Sequence, residues 1–156
     1  FTRNSLQPGP NLAIWSVPPN HTVLRQIIQT VRPKTLYWFL LSPSEHQLPV
    51  FLRQLASFVK YQLNGGDCVF HASTLAASLA TSEDIVELGI RWLAGKGAIT
   101  IEDHSVDVIT LKLGGAADPA AQEKLERSLL QVFQELQAFT SHLRQTDLAR
   151  IVEELR

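Results

Sequence analysis

Several features that would indicate an exported or membrane protein are missing from this chain of 156 residues. Its one cysteine, Cys68, cannot form a disulfide within the chain, and it lies in an apolar run, Cys68-Val69-Phe70, where we expect a buried, structural thiol. No apolar run reaches the roughly 18 residues of a membrane span, and no basic-then-apolar signal segment opens the chain. These absences predict a protein of the reducing cytoplasm that makes no membrane contact.

The spacings of common catalytic and cofactor sites are also missing. Gly65-Gly66 and Gly114-Gly115 are isolated pairs, not the glycine-rich loops whose backbone amides surround a phosphate. The five histidines are dispersed, and no histidine or cysteine pair has the short spacing of a zinc site. We therefore predict no catalytic residue, no metal site and no cofactor in this chain.

Hydrophobic patterning divides the chain into three segments. Residues 1–48 hold two apolar strands with a helix between them, which predicts a β-α-β element with parallel strands. Residues 49–115 follow the order helix, strand, helix, helix, strand, strand, which is typical of a winged-helix domain. Residues 116–156 form a helical segment, with a break predicted at Thr146-Asp147. Together they predict one compact unit of the α/β (α+β) class.

Aromatic residues are concentrated in the two strands of the first segment. Trp15, Tyr37, Trp38 and Phe39 could stack on bases if a sheet exposed them. The runs that contain them are strongly apolar, which favours the core of the β-α-β element. Because strand side chains alternate between faces, either Trp38 or the pair Tyr37 and Phe39 could still reach the surface.

The net charge of -1 conceals an uneven distribution. Residues 1–64 hold six basic residues against Glu45 alone, a balance of +5. Residues 65–115 hold three basic and seven acidic residues, or -4, and residues 116–156 hold five and seven, or -2. The basic first part could attract an acidic peptide or single-stranded DNA. Its candidate contact residues are Arg25, Arg32, Lys34, Arg53 and Lys60.

The helix that would read duplex DNA in a winged-helix protein carries the wrong charges. Glu83, Asp84 and Glu87 lie in its N-terminal half, the end that enters the major groove. These carboxylates would repel the phosphate backbone, so we expect this helix to be scaffold. A winged-helix regulator that binds duplex DNA is the alternative interpretation, and a purely structural domain is a third.

Three stretches resemble the C-terminal region of the RecJ family of single-strand-specific DNA exonucleases. The first, NLAIWSVPPNHTVLRQIIQTVRPKTLYWFLLSPSE, has that family's order of strand, Pro-Pro turn, helix, Arg-Pro, strand and Pro-Ser. The second, SEDIVELGIRWLAGKGAITIED, resembles the family's following helix and strand. The third, ELQAFTSHLRQTDLARIV, is similar to the terminal helix of cyanobacterial-type members. Where family members often carry Arg-Glu after Pro-Ser, this chain has Glu45-His46.

The resemblance implies an accessory domain. RecJ enzymes degrade single-stranded DNA from its 5′ end with a core that holds Mn²⁺ or Mg²⁺ through aspartates and histidines. The Asp-His-His motif of that core is absent here, so the metal would belong to the parent enzyme and this chain alone would not cut DNA. The chain begins at Phe1 without methionine, which fits a piece of a longer protein. The implied partners are the parent exonuclease core and the acidic tail of single-strand binding protein or single-stranded DNA.

Overall fold

The structure is a computed structural model that describes residues 5–41 and 47–145 and has a mixed α/β fold. The predicted fold class, with its C-terminal helix, is confirmed. The predicted break at Thr146-Asp147 and the dipeptide Glu45-His46 lie outside the described residues. In chain order the elements are β1 (Asn11–Ser16), α1 (His21–Val31), β2 (Thr35–Leu41), α2 (Leu48–Asn64), β3 (Val69–His71), α3 (Ala72–Ser78), α4 (Glu83–Gly95), β4 (Ile99–His104), β5 (Val108–Leu113) and α5 (Pro119–Gln145).

The first three elements form the predicted β-α-β element. β1 and β2 pair in parallel, with Ile14 opposite Trp38. α1 begins after Asn20, whose side-chain oxygen accepts a hydrogen bond of 2.9 Å from the amide of Val23 and so satisfies a donor at the helix start. The helix covers one face of the two strands and closes a small core. The buried residues of this core are Leu12, Ile14, Val17, Leu24, Ile28, Val31 and Leu143.

The next six elements have the order and sheet topology of a winged-helix domain. β3, β5 and β4 form an antiparallel sheet in that spatial order, with β4 and β5 as the wing hairpin. Gly97 separates α4 from β4. Its φ is +75°, a left-handed backbone conformation that glycine adopts at little energetic cost. The amide of Gly97 donates a hydrogen bond of 2.8 Å to the carbonyl of Ala94. The amide of Ala98 donates one of 3.0 Å to the carbonyl of Leu93. The chain therefore turns directly from helix into strand.

Helices α2 and α4 approach each other closely at Gly89. A β-carbon at this position would lie 2.5 Å from Cδ2 of Leu55 and 3.0 Å from Cε1 of Phe51. Both side chains are buried in the winged-helix core, with exposures of 0% and 3%, so they have little space in which to move. The missing side chain at position 89 is what allows the two helices to pack.

Helix α5 connects the two cores. Before its first turn, the amide of Asp118 donates to the carbonyl of Gly95 at 2.7 Å, which fixes the helix start against the end of α4. Leu129 and Phe133 belong to the winged-helix core. About three turns further along, Leu143 belongs to the core of the β-α-β element. The C-terminal helix thus contributes apolar side chains to both.

We expect Gly89→Ala to lower the free energy of unfolding by up to about 2 kcal/mol, which is the cost of overpacking less the gain that alanine brings to a helix. Overpacking of a filled core should outweigh the roughly 1 kcal/mol that alanine gains over glycine inside a helix. Equilibrium unfolding in urea measures the change. In a Leu55→Ala background the same substitution should cost less, because the added methyl group enters the space that Leu55 vacated. An equal cost in both backgrounds would contradict this packing explanation.

Candidate binding surfaces

The five basic candidate residues are all exposed but fall into two groups. Arg25 lies on α1, Arg32 is the residue that caps the end of α1, and Lys34 immediately precedes β2. Arg53 and Lys60 lie on α2, in the winged-helix part. Seven positions separate these two, so they point to nearly the same side of α2, about 10 Å apart along its axis. Arg25, Arg32 and Lys34 therefore lie on the surface of the β-α-β element, and Arg53 and Lys60 lie on the winged-helix part.

A cleft of about 630 Å³, named here the α2–α3 cleft, lies beside Arg53. Phe58 and Tyr61 of α2 line it with side chains that are 39% and 82% exposed, and Leu79 lines it at the end of α3. Neither α2 nor α3 contains an aspartate or glutamate. The cleft therefore combines exposed aromatic surface with a guanidinium group on helices that carry no carboxylate. Its complete lining is Arg53, Gln54, Ser57, Phe58, Tyr61, Ser78 and Leu79.

A second cleft, of about 540 Å³, lies between α1 and the start of α4. Glu83 and Asp84 line it together with the polar side chains of Gln26 and Thr30. Its carboxylates would repel an acidic ligand. Of these two clefts, the α2–α3 cleft is therefore the better match for an acidic partner.

The helix that reads duplex DNA in winged-helix proteins is largely covered here. α4 buries one side in the winged-helix core and packs against α5 on another. At this contact, Nε1 of Trp92 donates to a carboxylate oxygen of Glu126 at 3.4 Å. A β-carbon on Gly95 would lie 3.3 Å from the backbone of Gln122, so the two helices are close enough to exclude a DNA backbone from this side.

The remaining surface of α4 is dominated by carboxylates. Glu83 and Asp84 are exposed at its N-terminus. Farther along, Glu87 lies 3.7 Å from the guanidinium of Arg91 and 3.7 Å from Nε2 of His104 on the wing. The one basic residue in the middle of the helix is thus already beside a carboxylate, and the surface offers little attraction to phosphate.

The outer face of the β1–β2 sheet carries three exposed aromatic rings. Trp15, Tyr37 and Phe39 are 60%, 51% and 48% exposed. The rings of Trp15 and Phe39 stack with their centroids 4.3 Å apart and their planes 9° from parallel. The expectation of a core position was wrong for Trp15, and of the two alternatives for β2 it is the pair Tyr37 and Phe39 that reaches the surface, because the single helix of the β-α-β element covers only one face of the sheet. Trp38, on the covered face, does pack against the core.

Cys68 is exposed, so the expectation of a buried thiol was also wrong. Cys68 immediately precedes β3. In that three-residue strand Phe70 is buried, and Val69 and His71 are exposed. The apolar run therefore places one side chain, not three, in the core. The Sγ atom of Cys68 lies 4.0 Å from the carbonyl oxygen of Gly66.

A polar network joins the wing hairpin to α3. Asp107 accepts a hydrogen bond of 2.8 Å from the amide of Ser73 and one of 3.1 Å from the Ser73 hydroxyl, and it lies 3.2 Å from Nδ1 of His71. The sequence indicates Ser73 as the cap of this helix, but the helix begins one residue earlier and Asp107 supplies the cap from across the sheet. The pKa of the Asp107 carboxyl is lowered, mainly because the hydrogen bond from the Ser73 amide stabilises the charged carboxylate.

Two kinds of feature are absent from the described residues. Residues 5–41 and 47–145 contain no group of three histidine, cysteine or carboxylate side chains placed to hold a metal ion. Within the same ranges, none of the helices combines the length and the apolar character that crossing a lipid bilayer requires.

The residues that sequence patterns missed are aromatic. The spacing of Phe58 on α2 indicates a core position, although its ring is partly exposed in the α2–α3 cleft. Tyr61, which lies off the apolar side of that helix, is the one signal that this surface carries an exposed ring. For Trp15, Tyr37 and Phe39 the alternation along each strand could identify a shared face, but not whether that face is covered.

We expect Asp107→Ala to lower the free energy of unfolding by about 1 kcal/mol near neutral pH, the usual cost of losing a helix cap. Folding lowers the pKa of this carboxyl, so its contribution is present above the unfolded-state pKa and is lost as pH falls through the folded-state pKa. Urea unfolding from neutral to acidic pH should therefore show a shallower loss of stability for Asp107→Ala than for the wild type. Ser105→Ala, which changes no titratable group on the same hairpin, should give a profile parallel to that of the wild type. Parallel profiles for Asp107→Ala and the wild type would contradict the assignment.

Comparison with known proteins identifies no family for this chain. No family model, curated protein sequence or solved structure matches it. Function is therefore inferred from the α2–α3 cleft, the aromatic sheet face and the charges around them.

Proposed function

We propose that this chain is a non-catalytic accessory domain of a RecJ-like single-stranded DNA exonuclease of the cytoplasm. Its α2–α3 cleft binds the acidic, apolar tail of a partner such as single-strand binding protein. The observation that carries the proposal is the cleft itself, in which exposed aromatic rings stand beside Arg53 on helices without carboxylates. The parentage is supported by the three stretches that resemble the RecJ family.

The apolar part of such a tail matches the walls of the cleft. Phe58 and Tyr61 expose rings on one side, and Leu79 provides aliphatic surface on the other. Aromatic side chains give large contact areas with few rotatable bonds, which makes them effective anchors in binding sites. A hydrophobic side chain of the tail would remove these surfaces from water, and this contributes most of the affinity.

The acidic part of the tail matches the cations of α2. The guanidinium of Arg53 can donate two parallel hydrogen bonds to one carboxylate. Lys60, on nearly the same side of the helix, adds attraction for a second acidic residue about 10 Å away. Because α2 and α3 hold no aspartate or glutamate, no carboxylate of these helices competes for the two cations.

Catalysis and metal binding belong to the parent enzyme in this proposal. The Asp-His-His motif with which RecJ enzymes hold Mn²⁺ or Mg²⁺ is absent from these residues. The alternative, a winged-helix regulator of duplex DNA, is less well supported, since α5 packs against one side of α4 and the exposed N-terminal end of α4 is acidic. Sequence-dependent duplex binding that weakens on Arg91→Ala would favour that alternative.

A labelled peptide with an acidic, apolar tail should bind the chain in a fluorescence-anisotropy titration at low salt. We expect Arg53→Glu and Tyr61→Ala each to weaken binding about tenfold, or about 1.4 kcal/mol, since each removes an anchor of the cleft. Lys112→Glu makes the same change in net charge on exposed β5 and is the matched control. Equal losses for Arg53→Glu and Lys112→Glu would show general electrostatic attraction and contradict the cleft assignment.

The isolated chain should not degrade single-stranded DNA in the presence of Mn²⁺. The physical reason is that it lacks the Asp-His-His motif with which the family holds Mn²⁺ or Mg²⁺ near the scissile phosphate. Incubation with an end-labelled single strand, followed by gel electrophoresis, checks this expectation. Degradation that depends on added Mn²⁺ and co-purifies with the folded chain would overturn the non-catalytic assignment.

A further inference from the structure

The exposed face of the β1–β2 sheet carries three aromatic rings. Strand alternation directs Leu12 and Ile14 inward, and the parallel register brings the outward ring of Trp15 beside that of Phe39, with Tyr37 on the same face of β2. All three rings are about half exposed or more. Large exposed apolar patches are uncommon on folded domains and mark interaction sites.

The geometry of this face suits a planar ligand. Trp15 and Phe39 are already stacked with nearly parallel rings, so their side chains lose little conformational freedom when a ligand binds. A nucleic-acid base can stack on an exposed ring of this kind whatever its sequence, because every base has a π face.

The charges of the surrounding element suit a polyanion. The first 44 residues contain no aspartate or glutamate. Lys34 is exposed immediately before β2, three positions from Tyr37, which is about 10 Å along an extended strand. Arg32 is exposed two residues earlier, at the end of α1. The aromatic face thus has cations near it at the start of β2, and residues 5–41 contain no carboxylate side chain that would repel a phosphate.

We infer that the face formed by Trp15, Tyr37 and Phe39 is a stacking platform for single-stranded nucleic acid. Bases stack on the aromatic rings, while Lys34 and Arg32 contact phosphates at the start of β2. This site lies on the β-α-β element, whereas the α2–α3 cleft lies on the winged-helix part, so the two sites are distinct. The nucleic-acid site does not depend on peptide binding by the α2–α3 cleft. Titration with DNA tests the aromatic face, and titration with peptide tests the cleft, so that failure of either proposal can be recognised separately.

The test is a fluorescence-anisotropy titration of the chain with a labelled oligothymidylate at low salt. Trp15→Ala and Tyr37→Ala should each weaken binding at least about fivefold, as expected for the loss of a stacking ring. Trp15→Phe keeps a ring and should retain most of the affinity. Leu130→Ala removes a similarly exposed apolar side chain from α5 and should leave binding unchanged. Circular dichroism and thermal midpoints confirm that each variant is folded.

The charge component has its own readout. Lys34→Ala should weaken binding of every oligonucleotide to a similar extent. The slope of binding affinity against salt concentration should show about one counterion fewer released on binding. Unchanged affinity in folded Trp15→Ala and Tyr37→Ala would overturn the inference. Three further results would also overturn it, because each would assign the face to another occupant. The first is an affinity for duplex DNA equal to that for the single strand. The others are a dimer in sedimentation experiments that Trp15→Ala dissociates, and a loss of binding to the acidic peptide in Trp15→Ala.

Discussion

The packing of α5 against α4 is the contact on which the rest of the structure depends. Gly95 allows it, because a side chain there would meet the backbone of Gln122. From this start, α5 places Leu129 and Phe133 in one core and Leu143 in the other. A single amphipathic helix therefore covers much of the helix that could read DNA and connects the β-α-β element to the winged-helix part. The outer sides of α2–α3 and of the β1–β2 sheet remain exposed.

The distribution of charge follows this division. Carboxylates are concentrated on α4 and the wing, where Glu87 lies beside both Arg91 and His104. The elements that expose aromatic rings, β1, β2 and α2, contain no aspartate or glutamate. A fold that resembles a DNA reader thus presents its acidic side where duplex DNA would bind and its basic, aromatic sides elsewhere. This separation is the physical basis for placing the binding surfaces away from α4.

Local sequence signals predicted most of the secondary structure for identifiable reasons. Asn20 caps α1 through its own side chain, and Gly97 ends α4 because glycine tolerates positive φ. The cap of α3 could not be predicted in this way. Asp107 comes from 34 positions away, and only the pairing of β3 with β5 brings it to Ser73. The α2–α3 cleft was equally hidden, since its two walls come from separate helices.

The sequence by itself determined which side of most elements is apolar, where most of the helices begin and end, and how charge is divided along the chain. These properties depend on neighbours within a few positions. The tertiary structure alone decided which apolar sides are covered. Trp15 and Phe39 lie in runs as apolar as any core strand, yet they are exposed because one helix can cover only one face of a two-stranded sheet. Burial depends on the number of packed layers, and periodicity within a strand carries no information about that number.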